Sequence, residues 1–132
     1  SLDDGSGVFN CRTDDLYTAF TVVTGENLLG YALGLLQNAQ DLSFYELDNR
    51  IYEVQGIVLV VRDFVDALYA LFPEIKQKNN EGNMNAANLY LNKICVYDPL
   101  YITSSFNSGE LIISYLLFAR ARLTDISKSL RI

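Results

Sequence analysis

The sequence contains no histidine. That single absence excludes Ser-His-Asp and Cys-His nucleophilic pairs within the chain. It equally excludes HExxH zinc sites and the Glu-x-x-His di-iron sites of helical bundles. Phosphate-cradling glycine loops are missing as well: Gly25, Gly30 and Gly34 fit neither a P-loop nor a dinucleotide fingerprint. Only two cysteines are present, Cys11 and Cys95, too few for a disulfide framework. They form one bridge in an oxidising compartment or two free thiols in a reducing one, and a core this rich in apolar residues favours free thiols. A thiolate is unfavourable at both positions, because Cys11 precedes acidic residues and Cys95 lies near a helix C-terminus. Long hydrophobic runs are absent too. The densest, Ile57 to Val61, meets Arg62 and Asp63 at once, so no membrane span is expected. The first residue is Ser1, which suits a processed chain whose signal peptide, had there been one, would be gone.

Positive charge is scarce in the first third. Residues 1–49 carry eight acids against Arg12 alone, whereas residues 50–132 carry eight acids and nine bases. The net charge is −6, which disfavours a nucleic-acid partner because the phosphate backbone repels it. The simplest account of the asymmetry is that acidic helices dock against the basic C-terminal one.

What is present is apolar residues at helical spacing. Half of the 132 residues are hydrophobic, enough for one domain with a core of its own. Residues 1–12, rich in Gly, Ser and Asp, read as a flexible lead-in, and residues 13–132 as one helical domain. A first helix is expected from Thr13, with Asp14 and Asp15 in its first turn and a kink or break near Gly25. Ser43 and Glu46 have capping-box spacing, flanked by Leu42 and Leu47 as a hydrophobic staple. From there Phe44, Leu47, Ile51, Val54, Val58, Val61, Val65, Leu68 and Phe72 run at alternating steps of three and four, up to Pro73. Residues 74–82 read as a loop. Asn83 is the expected cap of a third helix carrying Met84, Ala87, Leu91 and Ile94, which ends at Asp98-Pro99. A connection with weak strand character follows. The last helix is expected from Asn107, with Glu110 at capping-box spacing and Phe106 and Leu111 as a staple. The fold class is all-α, an antiparallel bundle of four to five helices with a long second helix.

Two segments, NLLGYALGLLQ (27–37) and ICVYDPLYITSSFNSGELIISYL (94–116), resemble parts of small helical immunity proteins that protect bacteria from secreted antibacterial toxins. They cover about a quarter of the chain. That group usually carries more cysteines and holds the two segments closer together, so no residue role is carried over from it.

For function, the residues favour a non-enzymatic protein that binds another protein as an inhibitor, immunity protein or adaptor. Nine tyrosines supply interface chemistry, and Tyr45, Tyr52, Tyr97 and Tyr101 are the candidate interface residues. One alternative is a homodimer paired through the stripe from Phe44 to Phe72. Another is a small apolar ligand above Gly30 and Gly34, whose spacing otherwise suits close approach of a neighbouring helix. Neither cofactor nor metal is expected. Asp63 and Asp66, one helical turn apart beside Arg62, are the best carboxylate pair for cation binding or acid–base work, a reading ranked last.

Overall fold

The computed structural model describes the backbone of residues 5–37, 42–97 and 105–131, and the side chains within these ranges except at 5–14, 44 and 105–108. Six α-helical segments occur there, and no strand among the described residues: α1 (Gly5–Thr24), α2 (Leu29–Gln37), α3 (Phe44–Leu71), α4 (Pro73–Gln77), α5 (Glu81–Cys95) and α6 (Ser105–Leu130). They make an all-α bundle of four legs. The first leg is broken into α1 and α2, and the one-turn α4 sits between the second and third.

Side-chain hydrogen bonds fix the directions of the legs. Arg50 reaches the Leu35 carbonyl at 2.9 Å and the Tyr31 hydroxyl reaches Glu53 at 3.2 Å, so α2 and α3 are antiparallel. Arg62 donates to Asn92 and Asn88 donates to Asp66, so α3 and α5 are antiparallel. Tyr90 stacks on Phe118 and Asn80 bonds Ser129, so α5 and α6 are antiparallel as well. Thr21 meets Ser127 and Arg131 lies over Tyr17, which runs α1 antiparallel to α6.

The break in the first leg has a local cause. The Gly25 carbonyl accepts from both Leu28 (3.2 Å) and Gly30 (2.8 Å), which interrupts the regular helical ladder. The loosened Thr24 carbonyl is taken by the Arg120 Nε of α6 at 2.9 Å. A Cβ at Gly30 would lie 2.8 Å from the Gly25 carbonyl oxygen, closer than packing allows, so glycine is required there. Gly34 has nothing within 4 Å. The two glycines therefore do not admit a neighbouring helix; one accommodates its own chain and the other lies open.

The long α3 begins with the expected capping box: Glu46 N–H donates to Ser43 Oγ (3.2 Å) and Ser43 N–H to the Glu46 carboxylate (3.3 Å). At 28 residues it spans about 42 Å. Its three-four stripe faces inward, with Leu47, Ile51, Val54, Val58, Val61 and Val65 buried. They meet Phe20, Leu33, Leu91, Leu116, Leu123 and others in one core cluster. This stripe is consumed within the fold and is not a seam for a second copy of the chain.

Several boundaries differ from expectation. Helix α1 already starts at Gly5, inside the segment read as a lead-in. Pro73 ends α3 but also opens α4, because its fixed φ suits a first helical position. Residues 73–77 are thus helical rather than loop, with Ile75 in the core. Helix α5 starts at Glu81, ahead of Asn83. The preceding Asn79 takes the left-handed conformation (φ 62°), which asparagine tolerates. Buried Asn80 spans from the Ile75 carbonyl (3.0 Å) to Ser129 Oγ (2.7 Å), tying this turn to α6. Helix α6 starts at Ser105, so Asn107 lies within it rather than capping it. Most of the connection read as weakly strand-like lies outside the described residues.

The run Asp15–Gln37 is, against expectation, long and apolar enough by length and composition to cross a membrane, with a mean hydropathy of 1.3. In this fold it is interrupted at 25–28, and Leu16, Phe20, Val23, Leu29, Ala32, Leu33 and Leu36 lie in the bundle core.

The two glycines separate under mutation. Gly30→Ala is expected to cost about 1–3 kcal/mol by forcing the turn apart, whereas Gly34→Ala, exposed and mid-helix, should be neutral or stabilising by up to about 1 kcal/mol. Chemical denaturation of both variants measures this, and equal effects would contradict the assigned geometry.

Candidate interaction surface

Of the four tyrosines singled out from sequence, the three that are described lie in two places. Tyr45 (79% exposed) and Tyr52 (49%) are one heptad apart and share the outward face of α3. Tyr97 is half-buried and packs on the core, and its carbonyl accepts from Gln55 of α3. Tyr101 lies outside the described residues.

A second apolar seam, not recognised from sequence, runs along α3. Ile57, Val60, Phe64, Ala67 and Leu71 follow at steps of three, four, three and four, turned roughly a quarter-circle from the core seam. Ile57 is half-buried, Ala67 is exposed, and Val60, Phe64 and Leu71 are 61%, 46% and 69% exposed. The same helical row upstream is Arg50 and Glu53, the two side chains that hold α2. The row is therefore a track for a neighbouring helix. Helix α2 occupies its first turns through polar anchors. Beyond the break at 25–28 the chain moves onto α6, with only slight contact between α1 and α3. The apolar continuation of the track is left uncovered.

The surroundings of the track are acidic. Helix α3 carries Glu46, Asp48, Glu53, Asp63 and Asp66 against Arg50 and Arg62. Both arginines are engaged, Arg50 on the Leu35 carbonyl and Arg62 on Asp63 (3.3 Å) and Asn92 (3.1 Å). Exposed Glu26 sits in the turn that precedes α2. The Tyr31 hydroxyl is pushed above its ordinary pKa, first by donating to Glu53 and then by that carboxylate's charge. Among the described residues the two ion pairs, Arg62–Asp63 and Arg122–Asp125, are each confined to one helix. What α1 and α6 exchange is apolar packing, the Arg120–Thr24 hydrogen bond and the Arg131–Tyr17 cation–π contact.

The opposite side presents a smaller aromatic shelf that the sequence reading also passed over. Tyr90 stacks on Phe118 (5.1 Å between centroids) and lies 6.0 Å from Tyr115. Lys93 covers the rings of Tyr90 and Tyr115 at 5.8 and 5.5 Å. This shelf already holds its cation.

The carboxylates Asp63 and Asp66 have separate partners, Arg62 and the Asn88 amide (2.8 Å). No metal-holding group of three or more ligand side chains occurs among the described residues. A shallow, open depression beside α6 is lined by Thr24, Leu117, Arg120, Thr124 and Lys128, among others, away from the solvent-open Gly34.

Searches against protein-family models, curated proteins and solved structures find no match for this chain.

Cys95 is a free, half-buried thiol. Burial pushes its pKa up; Arg62 opposes the shift and Asp63 adds to it. At pH 7 the thiol form therefore dominates, and only the thiolate reacts readily. A thiol reagent at pH 7 should modify native Cys95 at least ~10-fold more slowly than free cysteine. Mass spectrometry locates the label, and rapid native labelling at Cys95 would contradict the placement.

Proposed function

We propose that this chain is a non-enzymatic binding protein that holds another protein on the outer side of α3. The observation that carries the reading is the uncovered seam Ile57–Val60–Phe64–Ala67–Leu71, a continuous apolar row beside an acidic face. Tyr45 and Tyr52 extend the same helix outward with amphipathic rings suited to an interface. A large apolar side chain transferred from water into a partner contributes about 1.5–3 kcal/mol, so three of them can anchor a complex. The acidic surroundings favour a basic partner and suit the blocking action of an inhibitor. The absence of histidine removes the commonest alternatives in catalysis.

Phe64 stands near the middle of the seam and is not in the core cluster, so Phe64→Asp should leave helicity and melting temperature nearly unchanged. The variant should weaken partner binding by on the order of 100-fold, about 2.8 kcal/mol. The measurement is quantitative capture from a native extract by tagged wild type and variant, after circular dichroism of both. A stoichiometric partner that both capture equally well would overturn the placement on α3.

A further inference from the structure

We infer that the uncovered track on α3 receives a cationic amphipathic α-helix of about four turns, supplied by the partner, lying where α2 would run if the first leg continued straight. This rests on the protein-binding reading above and names the occupant.

Three observations point to it. The first is shape. Residues 57–71 offer a row of about 22 Å at the helical rise. Its alternating three-four spacing gives knobs and holes for another helix, a pattern that an extended peptide would not match. Upstream, the row already holds a helix: α2 lies on it through Arg50–Leu35 and Tyr31–Glu53. Beyond its turn at 25–28 the chain leaves the row, and α1 packs mainly on α6.

The second is charge. Asp63 adjoins the seam next to Phe64, with its carboxylate 66% exposed despite the Arg62 contact. Exposed Glu53 lies one turn upstream of Ile57 on the same row. Lysines or arginines flanking an incoming apolar stripe would meet these carboxylates. An acidic helix would be repelled.

The third concerns the rival occupant, a second copy of this chain. Antiparallel pairing of two seams about Phe64 would set Asp63 against Asp63, and the two arginines of α3 are already engaged. The same acidity that disfavours self-pairing favours a cationic helix.

The test uses the full chain and two fluorescent 18-residue peptides. Both carry one Leu/Ile stripe at three-four spacing; the remaining positions are Lys, Arg and Ala in one and Glu and Ala in the other. Fluorescence anisotropy is read at low and moderate salt. The cationic peptide should bind at least ~30-fold more tightly than the acidic one and weaken as salt rises. Phe64→Asp should abolish its binding and Phe118→Asp, on the opposite shelf, should not. An Asp63→Asn variant should shrink the charge preference several-fold while retaining helicity. Equal binding of the two peptides, or binding lost in Phe118→Asp but kept in Phe64→Asp, would overturn the inference. So would a dimer of the chain alone in sedimentation that Phe64→Asp dissolves. A native partner lost in Phe64→Asp while the two peptides bind alike would refute the cationic helix and leave the binding reading standing.

Discussion

The contact between Gly30 and the Gly25 carbonyl governs the arrangement of this bundle. It allows Gly30 N–H to close a wide turn on that carbonyl at 2.8 Å, which ends α1 and restarts the helix at a new angle. One leg thereby serves two neighbours. Its first part runs along α6 and its second lies against both α3 and α6. Arg120 secures the junction from outside by taking the Thr24 carbonyl, one of the acceptors that a helix end leaves without an intrahelical partner. A straight first leg would have covered α3 along more of its length. The break therefore decides which part of α3 is core, which part is clamped by α2, and which part faces solvent.

Helix α3 answers that arrangement with two seams of the same period. The inner one, from Leu47 to Val65, supplies a large share of the core. The outer one begins polar, where Arg50 and Glu53 meet α2, and turns apolar where α2 ends. Burying Arg50 and Glu53 would be costly without partners, and each has one. Val60, Phe64 and Leu71 need no polar partner, and their exposure distinguishes this stretch from an ordinary solvated face. Elsewhere, buried Asn80 shows the other way polar groups enter this interior. Its amide is satisfied on two sides and joins the α4–α5 turn to α6, far from the proposed surface.

Much of the fold was legible from local chemistry. The Ser43–Glu46 capping box, the inward stripe of α3, the stop at Pro73 and the inner faces of α5 and α6 all follow from spacing and capping rules. The one-turn α4 was not, because five residues are too few to display a period and Ile75 is its lone core residue of large size. Of the site, Tyr45 and Tyr52 could be placed on an outward face by their heptad spacing. Tyr97 could not be assigned to the core's edge, since that depends on how α3 and α5 meet. The Ile57–Leu71 seam was readable as a three-four row, yet the longer stripe beside it drew the same interpretation.

The sequence by itself determined the long helices, their inward faces, the absence of any histidine-dependent catalytic pair and the concentration of acid in the first third. These rest on interactions within a few residues of one another and on composition. Only the tertiary structure decided that the long stripe is spent inside the bundle and that a second seam stands open. A three-four row requires a helical neighbour but carries no record of whether that neighbour belongs to the same chain. That is settled by where the turn at Gly25 sends the first leg.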